Sequence, residues 1–218
     1  HPSLAGRALA HPVVSPGGGP PQAWVVIVRD SCGLGDFERL ILQQAVAIVA
    51  LELMRRRVAR DTERRLAGDV LAGALGGRME PVELRRRLEP FGIGAEAAVL
   101  VFTADNPAAA AATLEAALTA AGCPAVVAPH EIGGRELLCA VIDAADNEPL
   151  AIAAAARKAL SAELGPVRAA ASRTAAPESL RHSFHEARCA LEATALANGS
   201  APEVASWRDL GAFTLLLS

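Results

Sequence analysis

Residues 130–143 read HEIGGRELLCAVID. Gly133-Gly134 marks a tight hairpin bend, because such a turn asks for positive φ and glycine adopts it without steric cost. The stretch after the bend is apolar and suits a buried strand. Arg135, a permanent cation, stands directly behind the two glycines.

Working outward, the segments around this hairpin alternate regularly. Strands are expected at 97–103 (AAVLVFT), 124–129 (PAVVAP), 135–142 (RELLCAVI) and 166–172, and helices at 107–121 and 149–164. A further helix at 177–197 and a short strand near 203–207 follow. Pro107, Pro149 and Pro177 occupy first-turn positions, and Gly122, Gly165 and Gly199 lie just past the helix ends. Ile152, Ala156, Leu160 and Leu164 keep helical spacing, as do Leu180, Phe184, Ala187 and Leu191. The order β-α-β-β-α-β is the split βαβ, ferredoxin-like plan, an α+β fold with an antiparallel sheet.

Upstream, residues 1–36 read as two short strands, around HPVV and AWVVIV, with SPGGGPP as the bend between them and RDSCGLGD as a loop. Asp36 is placed to cap a helix beginning at Phe37, with Glu38 in its first turn. That helical pattern runs to Ala67, and Leu66, Val70 and Ala74 carry it on to a double-glycine stop at Gly76-Gly77. Its first half is apolar on most sides, with Leu40, Ile41, Ile48 and Leu51 expected to face a second copy of the helix. Its second half, RRRVARDTERR, is almost wholly charged, and a solvated rod explains it better than an anion-binding patch because Asp61 and Glu63 offset part of the charge. Three segments result: 1–36, 37–77 and 78–218.

The chain has 218 residues, 52% of them hydrophobic, enough for one large or two small cores. A net charge of -3 supplies no overall basic field to draw it onto nucleic acid or an anionic membrane. Cys32, Cys123, Cys139 and Cys189 form no CxxC pair, so neither a disulfide framework nor a zinc knuckle is indicated and a reducing cytoplasm fits. The longest apolar run, 40–54, is broken by Gln43, Gln44 and Glu52 and is too short to span a bilayer. The chain opens on His1-Pro2 without an initiator Met, and is expected to be a fragment.

The hairpin places GGREL where the GGDEF nucleotide-cyclase domain carries its signature. Residues 180–192 (LRHSFHEARCALE) and 206–217 (SWRDLGAFTLLL) resemble the "SYxEAxxAL" helix and the "xxDLGxxxLL" segment of PucR/CdaR-type bacterial transcription regulators. Residues 50–77 resemble the same family's linker into its GGDEF-like middle domain. The resemblance implies a GAF-like sensory domain of which 1–36 are the last strands, a linker and dimerisation helix over 37–77, and a GGDEF-like domain over 78–218. It also implies a helix-turn-helix beyond Ser218 as the only route to DNA, an unidentified small-molecule effector at the sensory domain, a homodimer, and no membrane partner.

Cyclising a nucleoside triphosphate needs divalent metal, and the metal needs hard carboxylate oxygens at fixed positions. In working GGDEF domains one carboxylate follows the two glycines and another ends the first strand. Here Arg135 and Thr103 stand at those places. Asp105 remains nearby, but Asp105-Asn106-Pro107 is also an ordinary helix N-cap. Glu136 alternates onto the opposite strand face from Arg135, so the two do not act as a pair. The expected role is therefore non-catalytic relay, with no cofactor or metal. If the domain holds a ligand, Arg135, Asp105, Gly133 and Gly134 are its candidates, Arg135 acting on an anion directly. The alternatives are an inactive nucleotide-binding module or an active cyclase using GTP and magnesium.

His182, His185 and Cys189 share one helix, but a metal usually needs a ligand from a second element, and both histidines are expected in solvent. Gly33-Leu34-Gly35 lacks the third glycine and βαβ context of a dinucleotide site. Trp24 and Trp207 are expected to pack in cores.

Overall fold

The computed structural model describes residues 7–14, 20–30, 33–77, 79–196 and 204–208, with the backbone alone at 60 and 194–196. Cys32, most of the SPGGGPP bend and residues 209–217 of the regulator-like motif lie outside the described residues. The chain divides into two compact units, 1–63 and 64–218.

In the first unit β1 (Ala8–Val13) pairs antiparallel with β2 (Ala23–Val28), in a register from Ala8↔Val28 to Val13↔Ala23. β2 alternates half-buried and exposed positions, the pattern of a ribbon with one covered face. Trp24 lies on this ribbon at 60% exposure, so it does not pack in a core as expected. Helix α1 runs from Asp36 to Gly76. Its start corrects the assignment of Asp36 as cap. The Arg39 N–H donates to the Gly35 carbonyl, and the Gly35 N–H donates to Glu38 Oε2 at 2.8 Å, so Gly35 is the cap and Asp36 the first helical residue. A glutamate reaching back three residues satisfies an otherwise orphaned N–H, which is one half of a capping box.

The second unit takes in the end of α1 and is built on a five-stranded sheet in the order β4-β5-β3-β6-β7. These strands are β3 (Ala97–Phe102), β4 (Ala125–Ile132), β5 (Arg135–Asp143), β6 (Ala169–Ala171) and β7 (Val204–Ser206). The first four pair antiparallel, but β7 adds parallel to β6, so the sheet is mixed rather than wholly antiparallel. β4 runs three residues further toward the turn than its apolar run suggested, and β6 is cut to three residues. Its continuation is held instead by the Ser172 N–H donating to the Val99 carbonyl and an isolated Ala97↔Ala175 bridge.

Both faces of this sheet are covered. On one, Val99, Val101, Cys139 and Val141 pack against the end of α1 (Val70, Leu71, Ala74), α2 (Pro81–Leu88) and α5 (Leu180–Leu196). On the other, Leu100, Phe102, Leu138 and Ile142 meet α3 (Pro107–Ala120) and α4 (Pro149–Leu164). Burial on both sides explains why AAVLVF is a continuous apolar run instead of an alternating one. Each large side chain so buried contributes about 2 kcal/mol. α5 buries Leu180, Phe184, Ala187 and Leu191 as its spacing predicts, whereas Leu164, at the end of α4, is exposed.

Trp207 also departs from expectation. It is 37% exposed, and its ring lies against the guanidinium groups of Arg173 and Arg208, with Cζ 4.9 and 5.7 Å from the ring centroid. An indole that is only half covered gains from such cation–π contacts what it does not gain from the core.

Candidate functional site

β4 and β5 stay in register from Ala125↔Ile142 to Ile132↔Arg135, leaving Gly133 and Gly134 as a two-residue turn. Their φ values are +58° and +74°, the left-handed conformation both central residues of a type I′ turn require. A methyl group at either position would meet no neighbour within 4 Å, so backbone conformation rather than crowding calls for glycine here.

Beside this turn lies a cleft of about 450 Å³. Its apolar lining comes from Ile132 on β4, Leu137 on β5 and Leu191 on α5. Three arginines line it as well: Arg135 after the turn, Arg168 before β6, and Arg188 on α5. Thr103, Gly133 and Glu192 complete the lining. Among the described residues one carboxylate thus lines the cleft with three permanent cations, a formal net charge of +2, which makes it electropositive in a chain of negative net charge.

The backbone brings these groups together. The Thr103 N–H donates to the Arg168 carbonyl at 3.0 Å, and the Arg168 N–H donates back to Thr103 Oγ1 at 3.1 Å, tying the end of β3 to the start of β6. The Thr103 hydroxyl is therefore committed to a backbone N–H. Among the described residues the Arg135 and Arg168 side chains form no ion pair or hydrogen bond. Arg188 is half-buried; its Nε is shielded from solvent without a hydrogen-bond partner among the described residues, and lies 3.7 Å from Glu192 Oε1.

Of the candidates read from sequence, Arg135 and Gly133 line this cleft, while Gly134 forms the turn without lining it. Asp105 is exposed and stands outside it. It is not the cap of α3 either: Asn106 Oδ1 accepts the Ala109 N–H at 3.0 Å. Arg168, Arg188 and Glu192 were missed, since nothing in their local sequence distinguishes them from surface charges. Among the described residues no three His, Cys, Asp or Glu side chains are placed to hold a metal. His182 Nε2 is 3.1 Å from Glu186 Oε1, and His185 Nε2 is 3.7 Å from Cys189 Sγ, so the two exposed histidines serve different partners on α5. Glu186, buried, is also bound by Arg173.

In the first unit, Leu40, Ile41, Ile48 and Leu51 are all exposed, Ile48 at 69% and Leu51 at 67%. Phe37, Ile41, Ile48, Leu51 and Val58, each exposed, fall at the positions of a heptad seam, with Gln44 and Arg55 filling its polar places. Arg55 and Arg56 are both held by Glu52 of the same helix.

The sequence profile of the GGDEF-like domain matches residues 75–193, over half of the chain. The chain belongs to the GGDEF-like domain family. No curated protein matches it. Among solved structures it is similar to the crystal structure of the regulator of polyketide synthase expression from Bifidobacterium adolescentis, at 18% identity and a TM-score of 0.47. That similarity covers 67% of this chain and 55% of the other, so the chain spans little more than half of that protein's length. Among the described residues no helix is long and apolar enough to cross a membrane.

Proposed function

We propose that this chain is a non-catalytic signal-relay and dimerisation segment of a cytoplasmic PucR/CdaR-like transcription regulator. In this reading residues 1–36 are the end of a GAF-like sensory domain, 37–77 a linker and dimerisation helix, and 78–218 a ferredoxin-like, degenerate GGDEF-like domain. The observation that carries it is the exposed apolar seam on α1, at Phe37, Ile41, Ile48, Leu51 and Val58. Exposed apolar groups of this size and spacing are stabilised by a second copy of the same helix. α1 contributes residues to both compact units, and a change in its pairing is a means of communicating the sensory state. The effector then acts by favouring one of two packings for which it has unequal affinity, and DNA is reached through a helix-turn-helix domain of the whole regulator.

Analytical ultracentrifugation of the double variant Ile48→Asp, Leu51→Asp tests this reading. The parent sediments as a dimer and the variant as a monomer with unchanged secondary structure. Equal sedimentation of the two removes the dimerisation helix from the proposal. Catalysis is tested separately by incubation with GTP and magnesium. With Thr103 and Arg135 at the two carboxylate positions, no cyclic dinucleotide is expected, and its appearance establishes the cyclase alternative.

A further inference from the structure

We propose that the cleft beside the Gly133-Gly134 turn binds a small organic anion, a carboxylate or phosphate head on an apolar body, without the help of a metal ion. The charge comes first. Arg135, Arg168 and Arg188 are permanent cations, and Glu192 is the single carboxylate lining the same space among the described residues. Unlike Arg55, Arg56, Arg85 and Arg87, which reach Glu52, Glu178 and Glu83, Arg135 and Arg168 have no carboxylate partner among the described residues.

Arg188 adds a second, independent sign. Its Nη2 reaches His185 Nδ1 at 3.4 Å, but its Nε is removed from water without a hydrogen bond among the described residues, held only in a loose ion pair with Glu192 at 3.7 Å. A shielded guanidinium N–H without an acceptor carries a desolvation cost that an incoming anion relieves. The guanidinium fork matches two oxygens of a carboxylate or phosphate, which gives direction as well as strength.

The apolar lining defines the rest of the ligand. Leu137 and Leu191 are buried and Ile132 packs on the same core cluster, so the cleft has a rigid hydrocarbon wall against which an aliphatic or aromatic body loses its hydration. A volume of about 450 Å³ suits a compact organic molecule. A nucleoside triphosphate with its metal fits less well: Glu192 stands alone as a hard ligand, and Thr103 Oγ1 already accepts the Arg168 N–H. The inference does not depend on pairing through α1, since every lining residue lies between 103 and 192.

Isothermal titration of the 218-residue chain in EDTA-containing buffer tests it, with 2-naphthoate, 2-naphthyl phosphate and the neutral 2-naphthylmethanol as probes. Saturable binding of at least one anion is expected, with the alcohol at least about tenfold weaker. Whichever anion binds more tightly identifies the head group. Arg135→Ala and Arg168→Ala each weaken that anion by about tenfold, and both exposed sites leave the ligand-free melting temperature unchanged. The proposal is overturned if neither anion saturates, if the double variant Arg135→Ala, Arg168→Ala binds as the parent does, or if binding appears only when magnesium replaces EDTA.

Discussion

Thr103 and Arg168 clasp each other through two hydrogen bonds: the Thr103 N–H to the Arg168 carbonyl at 3.0 Å, and the Arg168 N–H to Thr103 Oγ1 at 3.1 Å. The second bond uses the Thr103 side chain, so a hydroxyl as well as the backbone pins the end of β3 to the start of β6. Thr103→Val keeps the shape and removes the acceptor, leaving the Arg168 N–H to water. Destabilisation by about 1 kcal/mol is expected, read from the midpoint of urea unfolding at constant slope.

Ser172 performs a similar task deeper in the sheet. Its Oγ accepts the Val99 N–H at 2.9 Å and donates to the Arg173 carbonyl at 2.8 Å, at a position 4% exposed. Ser172→Ala strands a buried N–H where β6 has ended. The expected loss is about 2 kcal/mol in the same unfolding measurement, larger than at half-buried Thr103.

Gly68 and Gly73 both lie inside α1, yet their replacement by alanine has different expected outcomes. A Cβ at Gly68 meets only the Ala128 methyl, at 4.0 Å, so Gly68→Ala is expected to stabilise by about 0.5–1 kcal/mol through helix propensity. A Cβ at Gly73 overlaps the end of the Met79 side chain, which must move aside. Thermal melts of the two variants therefore diverge, with Gly68→Ala raised above the parent and Gly73→Ala below Gly68→Ala.

Glu38 joins the start of α1 to Arg29, the residue that follows β2. Its carboxylate accepts its own backbone N–H and that of Gly35, and Arg29 lies beside it, which together hold its carboxyl below the ordinary carboxylate range. A lowered folded-state pKa means stability that is present above the unfolded value and lost as pH falls through the folded one. Circular-dichroism melts of the parent and Glu38→Gln are expected to differ at pH 7, and to converge as pH drops below about 4.

Cys139 is fully buried on β5, and burial alone pushes its thiol far above the ordinary range. Since the thiolate is the reactive form, a maleimide applied to the native chain at pH 7 is expected to label half-exposed Cys189 and to reach Cys139 only after denaturation. Peptide mapping of the labelled chain distinguishes the two.

Much of this organisation is legible along the chain because it rests on local rules. Two glycines between apolar strands specify a tight turn, prolines 107, 149 and 177 open helical segments, and the spacing of Leu180, Phe184, Ala187 and Leu191 marks the buried face of α5. The less legible points involve competition between neighbouring groups. Asn106 rather than Asp105 caps α3, and Gly35 rather than Asp36 caps α1, because the cap goes to whichever group has the right backbone geometry. Trp24 and Trp207 mislead because a tryptophan at a strand end looks the same in sequence whether its face is covered or open.

By itself the sequence determined the hairpin, the order of strands and helices, and the absence of a carboxylate at Thr103 and Arg135, since each depends on residues adjacent in the chain or on a repeat of two or 3.6 residues. Only the tertiary structure decided that Arg135, Arg168 and Arg188, spread over more than fifty residues, line one cleft, and that β7 joins the sheet in parallel. Charge convergence depends on which strand ends and helix faces are packed together, and that follows from burying both faces of the sheet rather than from any short-range pattern.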